Sequence, residues 1–149
     1  PRSQAPTDKP TAPGVLAALA ARNEGTLPGY MGIEWLHAEK GLMRGRIALK
    51  PHHMAPNGFL HAATVITLAD TACGYGCFLA MPEGGVNFTT IELKSNFLGT
   101  AREGAIIAEA KLIHGGKSTQ VWDATVTDET TNRPIALFRC TQMILRAKT

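Results

Sequence analysis

The stretch Asn57–Pro82, NGFLHAATVITLADTACGYGCFLAMP, decides the fold. From His61 to Pro82 every residue is apolar or small, apart from His61 at the entrance and Asp70 within the run. An Asn-Gly turn signal precedes it and a proline follows, so the stretch predicts a helix from His61 to about Ala80 with no polar face. Such a helix is expected to be buried all round. A lone carboxylate inside it is costly to desolvate unless something pairs with it or uses it. Asp70 is therefore either a buried acid held by backbone or hydroxyl donors, or a catalytic carboxylate facing a cleft. A membrane span is a poor reading of the run: Asp70 lies mid-way, Gly74 and Gly76 interrupt it, and Thr64, Thr67 and Thr71 add polar groups.

On either side of this helix the pattern changes to period two. Upstream, Met31–His37 and Leu42–Leu49 predict two strands joined at Glu39-Lys40-Gly41. In the second, Met43, Gly45, Ile47 and Leu49 alternate with Leu42, Arg44, Arg46 and Ala48. Downstream, Val86–Phe97, Ala105–His114, Ser118–Thr127 and Ile135–Leu145 predict four more strands with short polar turns between them. A short Ala/Leu helix, Val15–Arg22, packs at the edge. Residues 1–13, rich in Pro, Ser and Thr, are expected to be a disordered tail ahead of a single domain over 14–149. Runs of strands with a segregated helix mean α+β with an antiparallel sheet, and a helix without a polar face needs that sheet to curl around it.

The 149 residues suit one domain with a sizeable core. The net charge of +3 is mild, Lys and Arg are scattered and aromatics are few, which argues against nucleic-acid binding. Three cysteines, without metal-type spacing, argue against a disulfide framework and for a reducing compartment. The opening PRSQAPTDKPTAPG lacks the apolar core of a signal peptide, so the cytoplasm is the expected location.

Gly58-x-x-His61, two small residues, then Leu68-Ala69-Asp70, followed by a strand ending Ser95-Asn96-Phe97-Leu98, resembles the hot-dog acyl-CoA thioesterases, and among them the phenylacetate-degradation (PaaI-type) group. The resemblance spans about residues 31–146. It implies the hot-dog fold, a curled antiparallel sheet around a long central helix, and hydrolysis of acyl-CoA without a cofactor or metal. It further implies that Asp70 attacks the thioester carbonyl or activates a water. The backbone N–H of Ala62, at the helix start, would polarise the carbonyl, as the N-terminal dipole favours. The family usually has Gly-Gly where this chain has Ala62-Ala63. His61 is either a helix cap or a donor on the carbonyl side. The family's upstream Asn or Gln falls on Ala55, so Asn57 is either a replacement amide or an ordinary Asn-Gly turn residue. Thr90 matches a strand hydroxyl that holds the water or carboxylate in some relatives, and Thr89 beside it points the other way.

For the phosphates of CoA the resemblance points to basic or glycine-rich loops near the late strands: Arg102, and the turn Gly116, Lys117, Ser118. Gly58 belongs to the same binding set. Shared sites in the family imply a homo-oligomer, a dimer and then a dimer of dimers. Small residues, Ala69, Ala72, Gly74 and Gly76, are expected to leave room for the acyl group. Two other functions fit in outline: a hot-dog hydratase or dehydratase acting through a His61–Asp70 pair, and a non-catalytic acyl-CoA-binding module. Cys73 and Cys77 read as small core residues, and His52-His53 lacks the further ligands of a zinc site.

Overall fold

The computed structural model describes residues 11–148. Most of the expected tail lies outside the described residues, and the first of those, Thr11, is tied to the domain: its hydroxyl accepts from the Ala38 N–H at 3.1 Å. Helix α1 (Val15–Asn23) and a single turn α2 (Leu27–Tyr30) lead into strands β1 (Ile33–Glu39) and β2 (Leu42–Ala48). A 3₁₀ turn at Pro51–His53 precedes the long helix α3 (Ala62–Leu79). Strands β3 (Gly85–Phe97), β4 (Ala105–Gly115), β5 (Thr119–Asp128) and β6 (Pro134–Arg146) complete the chain. All six strands form one antiparallel sheet in the order β1-β2-β4-β5-β6-β3, and α3 lies along its inner face. This is the hot-dog arrangement. Only α2 and the 3₁₀ turn were not anticipated, both being shorter than the window over which periodicity can be read.

Period two sorts the sheet. Met43, Ile47, Ile106, Trp122 and Val126 face α3 without exposed surface. Each such side chain taken out of water contributes about 2 kcal/mol. The opposite face carries charge: Arg44 bonds Glu109 at 2.7 Å, Arg46 bonds Glu129 at 2.6 Å, and Arg139 grips Asp123 through two nitrogens.

The small residues of α3 do not make room for a ligand. A Cβ on Gly76 would stand 2.5 Å from the Trp122 ring, and one on Gly74 would stand 2.9 Å from the Phe88 ring. Ala69 and Ala72 are buried in the same core. Their lack of bulk is taken up by strand aromatics, so the expected acyl space lies elsewhere.

The helix is also not buried all round within one chain. Nine of its eighteen residues are buried. The rest form a stripe: Ala63 is exposed, Ile66, Thr67, Asp70 and Thr71 are half-buried, and Phe78 is exposed. Strand β3, beside that stripe, is the free edge of the sheet, with Ile91, Leu93, Phe97 and Leu98 exposed.

Candidate active site

The entrance to α3 is built by its preceding loop. Gly58 adopts φ +86°, a left-handed turn that favours glycine. Asn57 Oδ1 accepts from the Phe59 N–H at 3.2 Å, so Asn57 closes its own turn rather than reaching inward. His61 is the N-cap, its Nδ1 accepting from the Ala63 N–H at 2.9 Å. Its carbonyl accepts from Thr64 at 3.0 Å and from Val65 at 3.4 Å. Of the four N–H groups that a helix start leaves without intrahelical acceptors, those of Ala63 and Thr64 are thus engaged, and that of His61 itself donates to the His53 carbonyl at 3.1 Å. The fourth is that of Ala62. It opens onto an apolar cleft of about 350 Å³ lined by Phe59, Leu60, Ala62, Val65 and Phe97.

Two residues absent from the motif reading complete this end. The Thr100 hydroxyl accepts from the Leu60 N–H at 3.0 Å, joining the β3–β4 loop to the helix entrance. The Phe59 ring forms a wall of the cleft, with the Arg102 guanidinium 4.8 Å above its centre. Arg102 Nε also donates to the Gly58 carbonyl at 3.0 Å, which places Arg102 at the mouth of the cleft.

Asp70 sits two turns further along the open stripe. Its Oδ1 is 2.9 Å from the Thr90 hydroxyl, while Thr89 faces outward into solvent. A bulge at Ile91 shifts the β3–β6 register, pairing Thr90 with Gln142 but Glu92 with Thr141. Thr90 therefore shares the inner face with Phe88 on one side of the bulge, and Leu93, Ser95 and Phe97 take that face on the other. Burial pushes the Asp70 carboxyl above the usual carboxylate range, opposed by the hydrogen bond from Thr90 and by the nearby Gln142 amide. Gln142 is the third residue that motif reading did not single out. The signal was its place in Ile135–Leu145, an amide in the register of Phe138, Cys140 and Ile144.

The other proposed binders do not gather here. The turn with Gly116, Lys117 and Ser118 lies by the C-terminal end of α3: Arg146 links the Lys117 carbonyl to the Glu83 carbonyl. The Gly116 N–H donates to Thr119 O at 2.9 Å and so is not available to cradle a phosphate, which corrects that reading. The exposed Lys117 and Ser118 side chains remain. Cys73, Cys77 and Cys140 are buried free thiols, and burial pushes that of Cys77 up to about 11, as befits core residues. His53 is buried, accepting from the Lys50 N–H and bonding Met31 O, and no group of metal-ligating side chains occurs among the described residues.

Comparison with known proteins bears on the family and the fold. Residues 57–135 match the thioesterase superfamily. A 1,4-dihydroxy-2-naphthoyl-CoA hydrolase of Listeria monocytogenes is 33% identical over 111 residues, 74% of this chain and 89% of that protein. The crystallised mutant of thioesterase PA1618 from Pseudomonas aeruginosa superposes with a TM-score of 0.83 at 23% identity, covering 89% of this chain and 94% of the other. The PaaI protein of the E. coli phenylacetic acid degradation operon does so at 0.78 and 22%, covering 89% and 93%. The chain belongs to the thioesterase superfamily, and its fold is that of the hot-dog thioesterases. Its class is thioester hydrolase.

Proposed function

We propose that the protein hydrolyses acyl-CoA thioesters to a free acid and CoA, with Asp70 as the reacting carboxylate. The observation that carries this reading is the placement of Asp70: a single half-buried acid on the open stripe of α3, held by one strand hydroxyl and, among the described residues, paired with no cation. A structural acid would be expected to have its lone pairs filled; this one keeps a side toward the opening. As general base it takes a proton from water, whose oxygen adds to the thioester carbonyl. The C–S bond then breaks and the thiolate leaves with that proton. As nucleophile its oxygen adds to the carbonyl, the C–S bond breaks and the CoA thiolate leaves. The mixed anhydride that remains is hydrolysed by water to the free acid and the regenerated carboxylate. Both routes need an oxyanion donor, and the Ala62 N–H at the cleft supplies one.

Ala62 and Asp70 do not serve the same thioester from one chain. Eight residues of helix separate them by about 12 Å, while a carbonyl oxygen must lie about 3 Å from its donor. A second copy laid antiparallel along the open stripe and the free edge of β3 brings its Ala62 to this Asp70, and the reverse. The assembly is thus a homodimer with two shared sites, consistent with the apolar residues left exposed on α3 and β3. CoA is held by Arg102 at the cleft mouth and, from the far end of a helix, by Lys117 and Ser118. Asn57 and Gly58 shape the loop. The location proposed is the cytoplasm, in keeping with three unpaired thiols.

The hydratase reading needs His61 and Asp70 to act as a pair. Within one chain they are about 13 Å apart along α3, and His61 Nδ1 is occupied by the cap. The test is release of free thiol from a panel of acyl-CoAs by wild-type protein and by Asp70→Asn. Wild type releases CoA, and the folded variant loses at least about a thousandfold in kcat. Thiol release by Asp70→Asn at near wild-type rate would remove Asp70 from the reaction, and hydration without thiol release would favour the rival.

A further inference from the structure

We propose that Gln142 is a positioning residue for the Asp70 carboxylate: its buried side-chain amide holds the Thr90 hydroxyl as a donor to Asp70. The inference rests on the reading of Asp70 as the reacting group. Gln142 lies on β6 directly across from Thr90 on β3, and it has no exposed surface. An amide left unpaired there would carry its full desolvation cost. Its cross-strand neighbour on β5, Gln120, offers it nothing, since Gln120 already donates to the Ala80 carbonyl and accepts from Trp122 Nε1.

The Thr90 oxygen stands 2.9 Å from Asp70 Oδ1 and 3.0 Å from Gln142 Oε1. A threonine hydroxyl has a single proton and cannot donate to both. An ionised Asp70 only accepts, so it takes that proton. Thr90 Oγ1 and Gln142 Oε1 would then face each other at 3.0 Å with no hydrogen between them. Turning the amide exchanges its oxygen and nitrogen with almost no change of shape. Nε2 then donates to the Thr90 oxygen, and Oε1 takes the place 3.4 Å from Cys140 Sγ, within reach of the thiol hydrogen. Donation runs from Cys140 through Gln142 and Thr90 to Asp70, each proton used once. When Asp70 is protonated the chain reverses: the carboxyl donates to Thr90, Thr90 to Oε1, and Nε2 to the Cys140 sulfur. An amide serves both states because it carries donor and acceptor together; Met carries no donor, and Glu adds a like charge.

The surroundings leave this chain in control. The other titratable groups at this corner are the thiols of Cys73 on α3 and Cys140 on β6, the first pushed well above the usual thiol range by burial. Among the described residues no charged side chain of β3, β6 or the remaining strands adds to the balance at Asp70, where burial raises the carboxyl and the Thr90 hydroxyl, with the Gln142 amide behind it, lowers it.

The experiment follows the ionisation of Asp70 by carboxyl-carbon NMR in ¹³C-aspartate-labelled protein, with Asp70→Asn assigning the signal. In Gln142→Met, nearly equal in volume, the midpoint rises by about one pH unit. The acid limb of kcat moves with it, and KM for the best acyl-CoA is unchanged. In Thr90→Val the rise is at least as large, and adding Gln142→Met to Thr90→Val moves the midpoint no further, because Gln142 acts through the hydroxyl. An unmoved midpoint in folded Gln142→Met, or additive shifts in the double variant, would overturn the proposal. Wild-type protein gives a second reading that needs no variant: the Gln142 side-chain NH₂ resonances should titrate with the Asp70 midpoint, and resonances that stay constant through it would overturn the proposal equally. These readouts are of ionisation, so an active Asp70→Asn would sink the catalytic reading while the NMR result still decides on Gln142.

Discussion

The two sides of α3 are built to different ends. Toward the sheet, glycines and alanines let Trp122 and Phe88 press against the helix backbone, and among the described residues no buried side-chain nitrogen or oxygen is left without a partner. Away from the sheet, the same helix shows Ala63, Thr67, Asp70 and Phe78 beside a free strand edge carrying exposed apolar side chains. One side is a finished core and the other, in the proposed assembly, is half of a site. The difference teaches that a helix without a polar face can be buried by two bodies, its own sheet and a second molecule. The carboxylate proposed to react sits where those bodies would meet.

A substitution on the closed side should cost the fold. Gly76→Val sets new atoms against Trp122 and is expected to lose about 3 kcal/mol or more, read as a fall in the urea midpoint. A substitution on the open side should cost activity and spare the fold. The Asp70 carboxyl is raised in the folded state, so the folded protein binds more protons than the unfolded chain between the unfolded and folded midpoints. Stability then falls as pH rises through that window and stays lower above it. Asp70→Asn removes that loss, and its Tm at neutral pH should equal or exceed that of wild type. A sharp fall in Tm would return Asp70 to a structural part and erase the contrast between the two sides.

Smaller effects sharpen the map of the open side. Arg102→Ala and Lys117→Ala should each raise KM about three- to tenfold for acyl-CoA, and leave KM unchanged for a pantetheine thioester that lacks the 3′-phosphate. Equal changes for both substrates would take the residue out of the phosphate site. Although Arg102 and Lys117 lie toward opposite ends of α3, a partner running antiparallel brings one end of each copy toward the middle of the other.

Much of this was legible in the sequence because it follows from local periodicity. The strands follow from alternation, α3 from its long apolar run and its proline stop, and Asp70 from its lone charge within that run, whereas Thr90 is legible only through the family resemblance. What escaped depends on contacts between elements. The bulge at Ile91 changes which residues of β3 face inward, and no property of Ile91 itself announces it. Gly74 and Gly76 look like empty space until the rings of Phe88 and Trp122 are seen against them. The open stripe could not be read from composition, since a partner's surface and a core are made of the same residues. Gln142 was visible as an amide in an apolar register, but its meaning depended on Thr90 standing opposite.

In the proposed dimer, Ala62 of one copy and Asp70 of another form one site. The most direct measurement mixes two inactive proteins. Ala62→Pro removes the N–H at the first position of the helix, where proline is tolerated, and Asp70→Asn removes the carboxylate. Each alone should be inactive or severely impaired. Refolded together in equal amounts with random pairing, half the dimers are mixed and each of those holds one intact site, so thiol release from acyl-CoA should return to about a quarter of wild type. No recovery, from two variants shown to be folded and to exchange subunits, would contradict the shared site.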